Sequence, residues 1–170
     1  MMNAGPVEFS ALVYGSFVNS LLEMTEDIEE VNKKLDEIGY RIGLRLAHDF
    51  AKDTSIERID AAGKVVEGVI AKKWPIISGS KSPVTYTSSG DTYVLSFQQS
   101  VFTQNVQIPE TYAGVQYTGM LPGAIRGIFE IFHFKVTAAL DNSEPTNPPS
   151  TKIVVKVLES IMEAIPKNDD

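Results

Sequence analysis

Apolar residues recur every three or four positions between Ile28 and Phe50, which is the spacing of one face of an amphipathic helix. The stripe consists of Ile28, Val31, Leu35, Ile38, Ile42, Leu46 and Phe50. Asp27 precedes it, and its carboxylate can accept hydrogen bonds from the free amides of a first turn. Gly39 and Gly43 stand four residues apart, so a neighbouring element can approach closely there. The pattern predicts a long central helix that buries its apolar stripe.

Helical spacing continues on both sides of the central helix. A first helix is predicted at about residues 7–24 and a third at about residues 57–74. Their predicted inner faces are Phe9, Leu12, Val13, Phe17, Leu21 and Met24 in the first helix, and Ile59, Ala62, Val65, Val66, Val69, Ile70 and Trp74 in the third. Because the joint at residues 25–27 is short, the first and central helices are expected to pack as a hairpin.

The period changes from helical to alternating after residue 83. Residues 84–87 and 92–97 alternate on either side of a Ser-Ser-Gly-Asp turn, which predicts a β-hairpin. Two further extended segments are predicted, one through Val101, Val106 and Ile108 and the other at residues 114–118. Within residues 152–158, Lys152, Val154 and Lys156 alternate with Ile153, Val155 and Val157, which predicts a strand whose lysines would guard a sheet edge.

A broad apolar segment begins near Pro122, a residue favoured in the first turn of a helix. It predicts a fourth helix reaching about Leu140, with Ile125, Ile128, Phe129, Ile131, Phe132 and Val136 as its large apolar residues. A short last helix is predicted at residues 159–165. Together the elements predict a single α+β domain over residues 1–170, in which helices are layered on an antiparallel sheet. We expect flexible tails at 1–6 and 166–170 and a mobile loop at 141–150.

Composition narrows the possible functions. The 170 residues carry a net charge of −7 without a lysine-rich run, so the electrostatic signature of a nucleic-acid-binding protein is missing. The absence of cysteine removes disulfides, thiolate metal sites and cysteine nucleophiles. The sequence shows no secretory, myristoylation or prenylation signal, and Arg126, Glu130, His133 and Lys135 interrupt its most apolar stretch. We therefore expect a cytoplasmic protein.

The residues capable of catalysis or metal binding are few. His48 and His133 are the two histidines, and neither belongs to a known metal or catalytic cluster. His48 adjoins Asp49, but adjacent residues on a helix point in different directions and do not face each other. Arg126 lies in an apolar helix and needs a partner, for which a structural ion pair is favoured over a binding site. We expect no catalytic residue, no metal site and no enzymatic activity.

Two motifs resemble subunit 3 of the transport protein particle, the TRAPP complex. The first follows the pattern YG-x-x-V, a short acidic joint, and then VN-x-x-LD-x-x-G-x-x-IG-x-RL-x-x-DF. Its residues here are Tyr14, Gly15, Val18, Glu26, Asp27, Val31, Asn32, Leu35, Asp36, Gly39, Ile42, Gly43, Arg45, Leu46, Asp49 and Phe50. The second is LPGAIRGIFE, with Gly123, Arg126, Gly127 and Glu130 at the family positions. The similarity extends over about residues 9–165.

The resemblance implies a fold of helices on a twisted antiparallel sheet. It also implies dimerisation through the helical layer, with a second copy or a related subunit. Phe9, Val13, Phe17, Ile38 and Ile42 are the interface candidates. The implied role is that of a noncatalytic core subunit of a vesicle tether in endoplasmic-reticulum-to-Golgi transport. Such an assembly acts as an exchange factor for a Rab-family GTPase and is peripheral at cis-Golgi and ER-to-Golgi membranes.

The sequence departs from this family at its acylation site. The family typically carries a cysteine near the position of Ile59, with a fatty acyl chain in a tunnel between helices, whereas no cysteine exists here. Trp74 stands where the family has a small residue, and an indole could fill that space. The expected tunnel region is Ile59, Val66, Ile70 and Trp74, closed by protein or holding at most a noncovalent lipid. No cofactor is expected.

An alternative is a stand-alone domain of similar fold that binds an apolar ligand or haem. The alternative requires a helix-lined pocket. For haem, His48 or His133 would be the axial ligand.

Overall fold

The computed structural model describes residues 6–25, 27–52, 61–74, 84–98, 106–141 and 150–161. The helices are α1 (Pro6–Met24), α2 (Ile28–Ala51), α3 (Ala62–Lys64, continuing as a π-helix over Val65–Ala71 and as an α-helix through Trp74) and α4 (Met120–Ile131). The strands are β1 (Thr85–Ser89), β2 (Thr92–Gln98), β3 (Phe134–Asp141) and β4 (Ser150–Ser160). The strands form one antiparallel sheet in the order β1-β2-β4-β3. The prediction of an α+β fold is confirmed.

The central helix α2 begins as predicted, but its buried face is rotated from the apolar stripe. Asp27 caps the helix, because its Oδ1 accepts a hydrogen bond from the Glu29 amide at 2.9 Å. The buried residues are Val31, Leu35, Gly39, Gly43, Ala47 and Phe50. The predicted stripe was therefore wrong at Ile42, which is 38% exposed. Glycine has no apolar side chain, so the stripe did not mark the face on which α4 packs.

The predicted inner face of α1 is wrong. Phe9, Leu12, Val13 and Met24 are exposed, with fractions from 53% to 82%. The buried residues of α1 are Tyr14 and Val18, which form a small cluster with Val31, Leu35 and Val115. The helix is apolar around most of its circumference, so spacing alone could not select the buried side. Among the described residues, the buried contact between α1 and α2 lies in this cluster.

The β-hairpin of β1 and β2 is confirmed, but its turn is Gly90 and Asp91 alone, because Ser88 and Ser89 of the predicted turn belong to β1. β4 pairs with β2 on one side and β3 on the other, so it is a central strand. The idea that Lys152 and Lys156 guard an edge is therefore wrong. The alternation is real, however, because Ile153 and Val155 between these lysines are completely buried.

The fourth helix is shorter than predicted. It ends at Ile131, and the chain reverses through His133, whose φ of 62° is left-handed. The following strand β3 buries Phe134 and Val136 on one face. Both residues also fit helical spacing, so the sequence pattern did not separate strand from helix here.

Several further predictions need correction. Residues 114–118 form no strand, and a 3₁₀ helix at Glu110–Tyr112 follows the irregular residues 106–109. Glu159 and Ser160 belong to β4, so the last helix cannot begin at 159. The predicted loop at 141–150 and the predicted tail at 1–6 were wrong at their ends, because Asp141 belongs to β3, Ser150 to β4 and Pro6 to α1. The other predicted positions that lie outside the described residues are Ile59, Val101 and residues 1–5, 142–149, 162–165 and 166–170.

The main core lies between the sheet and helices α2, α3 and α4. Its largest completely buried side chain is Phe129 of α4, and Leu95 of β2 and Ile153 of β4 contribute from the sheet. α3 contributes the predicted Val65, Val66, Val69, Ile70 and Trp74. In the described part of the chain, no helix combines the length and apolarity needed to cross a membrane.

Candidate functional site

Glycines bring α2 and α4 into contact along their backbones. A Cβ at Gly39 would lie 1.9 Å from the carbonyl oxygen of Met120, and one at Gly43 would lie 2.0 Å from that of Ala124. Gly123 and Gly127 of α4 approach α2 in the same way. A Cβ added at Gly123 would lie 2.0 Å from the carbonyl oxygen of Asp36, and one added at Gly127 would lie 2.3 Å from that of Tyr40. The close approach predicted at Gly39 and Gly43 is therefore confirmed. These glycines set the position of α2, whose Ile38 and Ile42 form one wall of an exposed apolar groove.

Arg126 makes a structural ion pair, the interpretation favoured from the sequence. Its guanidinium donates to both oxygens of Asp36, at 2.9 and 2.7 Å, and both side chains are half-buried. The guanidinium also lies 5.8 Å from the centroid of the Tyr40 ring. Tyr40 in turn donates to Glu130 at 2.5 Å, and this hydrogen bond raises the pKa of Tyr40. The motif residues thus fasten α2 to α4.

The two remaining motif residues at the end of α2 are exposed. Asp49 accepts a hydrogen bond from Lys52 at 3.0 Å, a surface pair. Arg45 has no ion pair within the described residues. Neither residue contributes to the α2–α4 contact.

All five interface candidates line a single exposed groove. The α1–α2 groove is formed by Phe9, Ser10, Val13, Tyr14, Phe17, Ile38, Ile42 and Met120 and has a volume of about 410 Å³. Phe9 is 69% exposed, Val13 53% and Ile42 38%. An exposed groove lined by large apolar side chains is a typical site of protein–protein contact. The sequence put Phe9, Val13 and Phe17 on one face correctly, although that face is outward.

A second groove lies on the other flank of α1, against residues 106–117, and has a volume of about 820 Å³. Two side chains hold this segment. The Asn32 amide donates to the Gly114 carbonyl at 3.0 Å and accepts from the Gln116 amide at 2.8 Å. The Tyr14 hydroxyl donates to the Tyr117 carbonyl at 2.5 Å, and burial raises the pKa of Tyr14. Tyr14 and Asn32 both belong to the first sequence motif, but the motif did not predict that both side chains hold the segment at residues 106–117.

Three of the four residues of the expected tunnel region are described, and all three are buried. Val66, Ile70 and Trp74 are buried in α3, whereas Ile59 lies outside the described residues. The Trp74 ring packs edge-on against Phe97 at 5.4 Å between centroids. Val66, Ile70 and Trp74 line neither of the two grooves beside α1.

The histidines are placed apart from both grooves. His48 is exposed on α2 and His133 is exposed in the turn after α4. Among the described residues, no three histidine, aspartate or glutamate side chains cluster closely enough to hold a metal ion. No specific observation therefore favours the haem-binding alternative.

Comparison with known proteins identifies the family. A family model described as "Transport protein particle (TRAPP) component" matches residues 10–158. The chain belongs to the TRAPP family. The trafficking protein particle complex subunit 3 homolog of Caenorhabditis briggsae is 30% identical over 167 residues, covering 96% of this chain and 90% of that protein. The transport protein particle subunit bet3 of Schizosaccharomyces pombe is 30% identical over 171 residues, with the same coverage. The resemblance to TRAPP subunit 3 is confirmed.

A solved structure shares the TRAPP fold. It is a trafficking protein particle complex subunit 3 from Naegleria fowleri, described as covalently bound to palmitic acid. It superposes with a TM-score of 0.78 and 24% identity, covering 92% of this chain and 98% of that one. At this identity the likeness establishes the fold alone.

Proposed function

We propose that this chain is a noncatalytic core subunit of a TRAPP vesicle-tethering complex. The proposed role is in endoplasmic-reticulum-to-Golgi transport, with the complex acting on a Rab-family GTPase. The protein would be cytoplasmic and would reach cis-Golgi and ER-to-Golgi membranes through the complex. The family match over residues 10–158 supports this proposal, as do the names of the relatives, which are complex subunits.

The observation that carries the proposal is the exposed α1–α2 groove. Its rim residues Phe9 and Val13 leave most of their apolar surface in water. Burying apolar surface contributes about 25 cal/mol per Å², so covering the groove favours association. A second copy or a related small TRAPP subunit would cover it through the helical layer.

Affinity purification tests membership of the complex. The tagged chain is recovered gently from its own cells, and the eluate is identified by mass spectrometry. We expect a stoichiometric set of small TRAPP subunits, together with a Rab-family GTPase when nucleotide is removed. Recovery of the chain alone, together with a monomer in analytical ultracentrifugation, would overturn the proposal.

The exchange role needs a separate test on the assembled complex. Release of labelled GDP from the recovered Rab-family GTPase is measured with the complete complex and with a complex depleted of this chain. We expect faster release only with the complete complex. Equal rates would limit the chain to tethering or assembly.

We further propose that this subunit carries no covalent acyl chain and that its tunnel region is closed by protein. The support is the absence of cysteine and the packing of Trp74 against Phe97 beside Val66 and Ile70. Organic extraction of the purified protein followed by lipid mass spectrometry tests this. A stoichiometric fatty acid would contradict the closed region and indicate a noncovalent lipid.

A further inference from the structure

The two edges of the sheet are protected to different degrees. The edge strand β3 carries Lys135 and Asp141 and has an irregular register between Lys135 and Val136. Charges and bulges of this kind discourage the pairing of an added strand. The other edge strand, β1, has the sequence Thr-Tyr-Thr-Ser-Ser, without charge or proline, and pairs with β2 in an unbroken register. β1 is therefore the edge suited to receiving a strand.

The register shows which backbone groups β1 offers. The turn has two residues, and only Gly90 has a positive φ, at 58°, as in a type II′ turn. The closing pair Ser89–Thr92 is then hydrogen-bonded, and hydrogen-bonded pairs alternate from there along the hairpin. The N–H and C=O groups of Tyr86 and Ser88 consequently point away from β2. Among the described residues, no strand pairs with these groups.

The open edge is formed before any partner arrives. All five side chains of β1 are exposed, so none of the described helices covers either of its faces. The turn is held to the sheet because the Val157 amide donates to the Asp91 carbonyl at 2.8 Å. Because β1 is already ordered, binding of an added strand would cost less conformational entropy than binding to a disordered segment.

We propose that the outer edge of β1 binds an extended segment of another subunit, which adds to the sheet as a fifth strand. This inference rests on the proposed membership of a complex. Recognition would come from the backbone groups of Tyr86 and Ser88, in the manner of β-strand addition. Cross-strand neighbours for β-branched or aromatic side chains would be Tyr86 and the threonines of β1.

The size of the edge argues for a tethered segment over a second copy. A five-residue strand pair lies well below the roughly 1,200 Å² that a stable interface between folded proteins buries. A segment already attached to the same assembly has an effective concentration that reaches about the millimolar range. A short strand is sufficient under those conditions. The occupant is thus an extended, proline-free segment of a subunit whose main attachment is elsewhere.

Hydrogen exchange at single amides tests this inference. In the isolated chain we expect Tyr86 and Ser88 to exchange freely, whereas Thr87 and Ser89, bonded to β2, are protected. In the purified complex, exchange at Tyr86 and Ser88 should slow by about tenfold or more. Protection of both residues already in the isolated chain would show that the chain covers its own edge. Free exchange in the intact complex would show an unoccupied edge, and either result overturns the inference.

Two substitutions of Ser88 distinguish recognition of the β1 backbone from recognition of the Ser88 side chain. Ser88→Pro removes the outward N–H without removing a bond to β2, and we expect it to abolish the complex-dependent protection of Tyr86. Ser88→Ala retains the N–H and should preserve that protection. Equal loss in both variants would overturn recognition by the backbone. If Ser88→Pro perturbs the hairpin, as loss of protection at Thr87 would reveal, Tyr86→Lys is used in its place. Its charge disfavours an added strand, so the complex-dependent protection of Ser88 should be lost, and unchanged protection would overturn the inference. Failure of wild-type chain to enter any complex would instead overturn the proposed function.

Discussion

At the scale of single residues, glycines decide how closely α2 and α4 can pack. Gly39 and Gly43 of α2 meet the backbone of α4, and Gly123 and Gly127 of α4 meet the backbone of α2. The Asp36–Arg126 ion pair then joins the same two helices at their partly exposed side. Shape and charge therefore fix the same contact.

Replacing Gly39 by alanine should destabilise the protein, although alanine has the higher helix propensity. Gly39→Ala should improve the propensity of α2 by about 1 kcal/mol, yet its Cβ would lie 1.9 Å from the Met120 carbonyl oxygen. We expect the free energy of unfolding to fall by about 1–3 kcal/mol or more, measured by urea denaturation. Gly68→Ala is the control, because nothing lies within 4 Å of its added Cβ. A stabilised Gly39→Ala variant would show that the helices are not in backbone contact.

The Asp36–Arg126 ion pair should contribute more to stability than the exposed Lys52–Asp49 pair. Arg126→Ala leaves the half-buried Asp36 carboxylate without its bidentate partner, and we expect it to cost about 1–3 kcal/mol of stability. Lys52→Ala is the matched control, because the Lys52–Asp49 pair is 77% and 70% exposed and should contribute less than about 1 kcal/mol. Thermal and urea unfolding measure both variants. Similar small losses would mean that the Arg126 pair is worth no more than a surface contact.

At the scale of elements, a buried cluster and a long-range hydrogen bond hold α1 among the described residues. Its buried contact is the cluster around Tyr14 and Val18, and the Tyr14 hydroxyl joins α1 to the segment at residues 106–117. Asn32 holds the same segment to α2 through two hydrogen bonds. Loss of either side chain should loosen α1 and both grooves beside it.

Tyr14 also predicts a dependence of stability on pH. Burial raises its pKa above the ordinary value of about 10. As the pH rises past that value, the unfolded chain releases the phenolic proton while the folded chain retains it, so the free energy of unfolding falls. Tyr14→Phe should be less stable than wild type by about 1 kcal/mol near neutral pH, because it loses a hydrogen bond.

The difference between wild type and Tyr14→Phe should shrink as the pH is raised from about 9 to about 11. Urea denaturation at several pH values measures it. Tyr86→Phe, at an exposed position on β1, is the control for loss of a tyrosine hydroxyl. A difference that stays constant over this range would show that Tyr14 titrates equally in the folded and unfolded chain.

At the scale of the whole molecule, exposed apolar side chains concentrate on α1. Phe9, Leu12, Val13 and Met24 give this helix an outward apolar surface that the fold itself does not bury. A solvent-exposed face of this kind contributes to assembly and little to the stability of the single chain. Stability and assembly can therefore be separated by mutation.

Val13→Asp makes that separation measurable. Val13 is 53% exposed in the α1–α2 groove, so we expect the free energy of unfolding to change by less than about 0.5 kcal/mol. A charge in an apolar interface is costly, so recovery of partner subunits on affinity purification should fall strongly. Leu158→Asp, at an equally exposed position on β4, should leave recovery unchanged. Equal recovery from both variants would place the interface elsewhere.

Features that depend on residues close together in the chain could be predicted from the amino-acid sequence. The Asp27 cap depends on neighbouring backbone amides, the hairpin depends on a two-residue turn, and the helical character of α2 depends on its own spacing. The two motifs also identified the family and located the glycines of the close helix contact. The inner residues of α3 from Val65 to Trp74 were correct because that helix has one clearly apolar side.

Features that depend on residues far apart in the chain became clear from the three-dimensional fold. α1 is apolar on several sides, so the position of Tyr117 and Val115 selects Tyr14 and Val18 for burial. Phe134 and Val136 fit a helix or a strand, and pairing with β4 makes β3 a strand. The same pairing puts β4 in the centre of the sheet and leaves β1 at its edge. Burial and strand order arise from contacts between segments far apart in the chain, which local periodicity does not encode.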